Sequence, residues 1–182
     1  DYMTYMKNVK AAVLMAHAFN DWNVMPEHGV RIYEACKLMK IPSQLYFHQG
    51  GHGGEPPHAM MNRWFTRYLY GIENGVEKDP RSFIVREGDR RHKPTAYPDY
   101  PHPEAKPAKL FPTAGGNKAG GLRTGAGGKK GIEKLVDDVK HSGAKLAAAD
   151  ASPHRLLYVT NELKKPVHIS GHSSIKLRLA AS

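Results

Sequence analysis

The chain has 182 residues, 40% of them apolar, which is enough for one ordinary domain or two small ones and too apolar for global disorder. A single cysteine, Cys36, excludes an intramolecular disulfide framework and any cysteine-based zinc cluster. The net charge of +10 is uneven: residues 1–80 hold as many acids as bases, and the excess in 81–182 is scattered among prolines and glycines with no basic helix or aromatic ladder, so nucleic-acid binding is not expected.

No run approaches the roughly 20 apolar residues of a membrane span, so a soluble protein with no membrane partner is expected. No signal-peptide pattern opens the chain. The first residue is Asp1 rather than Met, which leaves the compartment open between cytoplasm and export.

In chain order, "KAAVLMAH" (10–17) is an apolar run without alternation and reads as a strand buried on both faces, as in a parallel sheet. A polar loop, "AFNDWNVMPE" (18–27), leads into a helix over 27–39 with Ile32, Ala35, Cys36 and Met39 at helical spacing. Cys36 is read as a small core residue. "IPSQLYFH" (41–48) is a second strand. The glycine loop "QGGHGG" (49–54) follows, and Pro56 and Pro57 suit the start of another helix. Met61, Trp64, Phe65 and Tyr68 give that helix one apolar face, and Gly71 suits its end.

This alternation of strand and helix is that of a parallel α/β sheet, in which functional groups gather on loops at the carboxyl ends of the strands. Asp21 and His52 lie on two successive loops of that kind. An aspartate in a turn serves equally as a loop cap, and a histidine among glycines is open to three uses: general base, metal ligand or loop residue. No compact ligand motif such as His-Glu-x-x-His accompanies His17, His48, His52 and His58, so no metal site is expected.

After residue 80 the texture changes. "RSFIVRE" (81–87) alternates like a half-buried strand, and six prolines from Pro94 to Pro112 predict an extended, stiff segment. "GGNKAGGLRTGAGGKKG" (115–131) reads as a loop and lacks the spacing of a phosphate-binding P-loop. "RLLYVT" (155–160), "VHIS" (167–170) and "IKLRLA" (175–180) read as strands. A second, all-β domain is expected over 81–182, with too few strands to close a sandwich. His92, His102, His141, His154, His168 and His172 are spread through it with no evident partner.

"AHAFNDWNV", "FHQGGHGG", "RWFTRYLYGIENGV" and "SPHRLLYVTNELKKPVHISGHSSIKLRLAAS" closely resemble the X-prolyl dipeptidyl-peptidase family of serine peptidases and its cocaine-esterase-like relatives. The resemblance implies an α/β fold: residues 1–80 as the C-terminal part of an α/β-hydrolase catalytic domain and 81–182 as an incomplete jelly-roll sandwich. It implies release of Xaa-Pro dipeptides from free N-termini, a peptide partner with proline at the second position, and no metal or cofactor. Carried over by residue, Asp21 matches the catalytic acid and His52 the base. Asn23 matches a position that helps anchor the substrate's ammonium group, and Trp22 and Val24 line the proline pocket. His48 then finishes the strand.

The family's nucleophilic serine precedes the acid, yet residues 1–20 hold no serine and no Gly-x-Ser-x-Gly elbow. The serine is therefore expected upstream of Asp1, in a larger enzyme of which this chain is a C-terminal piece. An esterase or acylase of the same architecture, or a non-catalytic binding module, are the alternatives.

Overall fold

The computed structural model describes residues 2–90, 93–127 and 131–180. Its contacts group into two units, residues 1–105 with 170–182, and residues 106–169. His92, among the histidines singled out above, lies outside the described residues.

The first unit is a four-stranded sheet in the order β1-β2-β3-β4. Strand β1 (Val13–Ala18) pairs in parallel with β2 (Ser43–His48), residue for residue from Val13↔Ser43 to Ala18↔His48. Strand β3 (Ser82–Ile84) continues the parallel order, and β4 (Thr95–Tyr97) returns antiparallel. Pro94 and Pro98 flank β4 at the sheet edge, where a missing N–H costs no ladder bond. Helix α1 (Pro26–Leu38) joins β1 to β2, starting on a proline with Glu27 in its first turn and Lys37 in its last, as the helix dipole favours. Helix α2 (His58–Tyr68) follows β2, with Pro57 at its N-cap.

The core lies on β2. Leu45, Tyr46 and Phe47 are fully buried. Phe47 stacks on Phe19 at 4.7 Å between ring centroids and meets Tyr100 at 6.0 Å. Val30, Tyr33, Ile84 and Tyr100 complete the cluster, with Met15 and Tyr97 packed against it. Each such side chain contributes about 1.5–3 kcal/mol by leaving water.

Three expectations about burial are corrected. Strand β1 is half-buried until Ala18, because it stands at the sheet edge with β2 as its one neighbour among the described residues. The buried face of α1 is Gly29, Val30, Tyr33 and Cys36, while Met39 lies past the helix end and is exposed. Tyr33 turns inward because its hydroxyl finds a partner there, donating to Asp99 Oδ1 at 2.7 Å. On α2, Trp64 is buried against the Tyr68 ring, but Phe65 is 45% exposed.

The second unit contains β5 (Phe111–Pro112), β6 (Gly120–Arg123) and β7 (Tyr158–Val159), in the order β5-β6-β7, and a short helix α3 (Gly143–Ala148) that the sequence reading missed. Strand β6 falls inside the glycine-rich stretch read above as a loop. A Cβ on Gly120 would lie 2.6 Å from both the Thr113 carbonyl oxygen and the Tyr158 ring, so the glycine is what lets this strand sit between its neighbours. The strand expected at 155–160 shrinks to two residues, and 167–170 and 175–180 form none. Ile175, Leu177 and Leu179 alternate as a strand would, yet all are more than half exposed, and no neighbouring backbone among the described residues completes a ladder. The molecule is therefore a mixed α/β structure with two small sheets, consistent with part of an α/β-hydrolase-like fold.

Candidate active site

The parallel register of β1 and β2 ends level, with Ala18 opposite His48. Asp21 comes three residues beyond the first strand and His52 four beyond the second, so both loops leave the same edge of the sheet at matched heights. Two bonds hold these loops together and a third ties them to the chain beyond β3. The Phe19 amide donates to the His48 carbonyl at 2.8 Å, Asn20 Nδ2 to the Gln49 carbonyl at 2.7 Å, and Gln49 Nε2 to the Val85 carbonyl beyond β3 at 3.0 Å.

Asp21 is 5% exposed, and its two oxygens have separate partners. Oδ1 accepts the backbone N–H groups of Asn23 and Val24, each at 3.0 Å, closing an Asx turn. Oδ2 lies 3.0 Å from His52 Nδ1. Loop cap and carboxylate partner of a histidine, the two uses left open by the sequence, are filled by one residue. The Val24 amide, then His52 and the Asn23 amide, hold the Asp21 carboxyl below its ordinary range against the opposing effect of burial. An ionised Asp21 accepts only, so the neutral form of the His52 ring carries its proton on Nδ1 and has its lone pair on Nε2. The His52 side chain is 63% exposed, which leaves that lone pair open to a reacting group.

His48, the other histidine of the glycine loop, ends β2 buried, and its Nδ1 accepts the Gly50 amide at 2.9 Å. A Cβ on Gly50 would stand 2.8 Å from that nitrogen, so the first glycine is required by close approach. Gly53 and Gly54 have φ of 85° and 114°, which side-chain-bearing residues rarely adopt.

Asn23 is exposed, with its backbone amide committed to Asp21. Trp22 is 89% and Val24 40% exposed. The three therefore lie at the surface beside the pair. Two clefts of the first unit are elsewhere. One, of about 410 Å³, lies between α2 and the Gln44–Phe83 face of the sheet, and the other is near the start of β2 by Ile41 and Pro80.

The sequence reading left other histidines without partners that the structure supplies. His102 Nδ1 accepts the Glu104 amide at 3.2 Å, His172 Nε2 meets Glu34 Oε1 at 3.2 Å, and His141 stacks on His154 at 4.6 Å between ring centroids. None of these contacts has a local spacing that would have revealed it, apart from the two-residue step from His102 to Glu104.

A mixed α/β sheet that carries an acid and a histidine in contact on successive loops at its carboxyl edge is the arrangement that comparison with known proteins then places. A family model described as "X-Pro dipeptidyl-peptidase (S15 family)" matches residues 1–54, and one described as "X-Pro dipeptidyl-peptidase C-terminal non-catalytic domain" matches residues 74–182. The chain belongs to the X-Pro dipeptidyl-peptidase family. It is 57% identical over 180 residues to a protein of Rhodopirellula baltica that bears the name "Putative Xaa-Pro dipeptidyl-peptidase", covering 99% of this chain and 29% of the relative. A Bacillus anthracis protein of the same name is 35% identical over 182 residues, covering 97% of this chain and 30% of the relative. The Xaa-Pro dipeptidyl-peptidase of Lactobacillus helveticus is 27% identical over 199 residues, covering 100% of this chain and 25% of the relative. The chain thus spans less than a third of the length of these relatives.

Proposed function

We propose that this chain is part of a soluble serine peptidase that releases Xaa-Pro dipeptides from the free N-termini of peptides. The observation that carries the reading is the 3.0 Å contact between buried Asp21 and exposed His52, in a chain of this family. Asp21 is the acid that holds the histidine's tautomer and stabilises the imidazolium, and His52 is the general base. The nucleophile is a serine outside this chain, in the larger part of the protein that the relatives' lengths support. His52 Nε2 takes the proton of that serine hydroxyl as the oxygen attacks the carbonyl of the proline residue, then gives it to the departing amine. An acyl-enzyme remains, which water hydrolyses by the same route in reverse. The chain's own groups need no metal or cofactor for these steps.

Asn23 accepts a hydrogen bond from the substrate's ammonium group through its amide oxygen, and Trp22 and Val24 flank the proline ring. Their surface position beside the pair supports these roles. Residues 1–80 are the end of the hydrolase domain, and residues 81–182 belong to a jelly-roll domain. The two family models, which part between residues 54 and 74, support a two-part chain, while β3 and β4 pair with the sheet of the first part.

The test uses the full-length enzyme on Gly-Pro-p-nitroanilide and on p-nitrophenyl acetate. His52→Ala should lower kcat on both by about 10⁴-fold or more. Asn23→Ala should lower kcat/KM about 5- to 150-fold on the peptide substrate alone, the equivalent of losing about 1–3 kcal/mol of polar contact. Near-normal turnover in His52→Ala would move the base elsewhere. Equal losses on both substrates for Asn23→Ala would favour an ester or acyl hydrolase without amine recognition.

A further inference from the structure

In the second unit, Asp138, His141 and His154 each offer one ligand atom, and the three atoms lie within 4.8 Å of one another. We propose that these residues form a binding site for a divalent transition-metal ion, zinc above all. Two imidazoles and a carboxylate are a donor set that zinc accepts, with water in the fourth position.

The bonding around the cluster prepares each ligand. Asp138 Oδ1 accepts the Lys140 amide at 2.9 Å, which fixes the carboxylate and leaves Oδ2 facing His141 Nε2 at 3.6 Å. Donors on a tetrahedral zinc stand about 3.3–3.5 Å apart, given bonds of about 2.0–2.1 Å. His154 Nδ1 is 2.8 Å from the Val136 carbonyl oxygen, to which it donates its proton. Nε2 is then the nitrogen left with a lone pair. A histidine whose second nitrogen is bound to a carbonyl is the usual outer support of a metal ligand, because that bond sets the tautomer and the ring orientation. The His154 backbone amide is held in turn by Ser152 Oγ at 3.1 Å.

The two segments that supply ligands are already joined, since the Val136 amide donates to the Pro153 carbonyl at 3.0 Å. With the His154 ring held by Val136, rotation of the exposed His141 ring stacked on it is the adjustment that brings the ligand atoms to coordination distance. Residues 131–142 carry no helix or strand, and Ile132 and Val139 are almost fully exposed. An ion at this point staples 136–141 to 152–154, where apolar burial supplies little.

The test is zinc binding by the purified full-length protein, measured by equilibrium dialysis and metal analysis, with cobalt as an optical probe. Wild type should retain one zinc per chain and give the visible absorption of a four-coordinate cobalt site. His141→Ala and His154→Ala should each weaken binding by at least about 10–100-fold, the loss usual for an outer partner alone. His172→Ala, which alters a histidine paired with Glu34, should bind as wild type does. In unsubstituted protein, zinc should raise the Tm and chelator should return it, which needs no variant to fold. No retained zinc, no shift in Tm, or equal binding by the His141 and His154 variants would overturn the proposal and leave adventitious histidine binding only.

Discussion

The sheet of β1 to β4 has two six-residue strands, β1 and β2, beside two of three residues, and β2 buries leucine, tyrosine and phenylalanine completely. The strands of the sheet β5 to β7 are two to four residues long and bury little carbon. Polar side chains that reach the backbone hold this second sheet. Glu133 Oε1 accepts the Gly115 and Gly116 amides at 2.7 and 2.6 Å, and its other oxygen accepts the Tyr158 hydroxyl. Asn117 Nδ2 donates to the Ser152 carbonyl at 3.1 Å, and the buried Arg155 to the Lys118 carbonyl at 2.9 Å. One sheet is stabilised mainly by area removed from water, the other mainly by directional bonds, and the two should fail in different ways.

Removing carbon should hurt the first sheet most. Phe47→Ala empties the centre of the core cluster and should cost about 3–5 kcal/mol, read as a shift in denaturant midpoint for the transition that exposes β2. A loss below about 1 kcal/mol would mean that the core is not organised around this ring.

Adding carbon should hurt the second sheet instead. Gly120→Ala places a methyl group against the Thr113 carbonyl and the Tyr158 ring and should cost about 1–3 kcal/mol. Amide exchange would show it as faster opening confined to β5–β7, and unchanged exchange would remove the steric account of this glycine.

The smallest effect is on pH dependence. The Tyr158 hydroxyl, then the Gly115 and Gly116 amides, hold the Glu133 carboxyl below its ordinary range. A lowered folded pKa contributes stability that is complete above the ordinary carboxylate range and is lost as pH falls through the lowered value. Amide protection of β5–β7 should therefore decline in acid for wild type. Glu133→Gln should be weaker at neutral pH and lose that part of the decline, and parallel pH profiles would assign the acid sensitivity to another group.

The same contrast decides what was legible in the sequence. The apolar runs before His17 and His48, the helical spacing over 27–39, the proline start of α2, and the loop positions of Asp21 and His52 are local patterns. The parallel α/β reading used nothing else. Tyr33 and Asp99 are 66 residues apart, so no local period showed that the tyrosine would turn inward on a hydroxyl bond. Gly120 carried a local loop signal that a long-range approach by Tyr158 reversed. His141 and His154 belong to no recognisable motif, because a turn and a Val136–Pro153 bond bring them together. At 175–180 the alternation was plain, but a ladder also needs a neighbour, and alternation says nothing about that.

Strands β3 and β4 fall within the match to the non-catalytic domain, yet they are hydrogen-bonded into the sheet that carries Asp21 and His52. Asp99 and Tyr100 fall in the same match. Lys37 Nζ of α1 reaches both Asp99 oxygens at 2.9 Å and the Tyr100 carbonyl at 3.0 Å. Evolutionary exchange at the family boundary near residue 74 would therefore carry two strands and an ion-pair partner out of the acid–histidine unit. A chimera crossed over near residue 106, where the contacts divide, would keep that sheet whole. The unit of inheritance and the unit of folding are offset here by some thirty residues of shared sheet, and recombination between relatives has to respect the second.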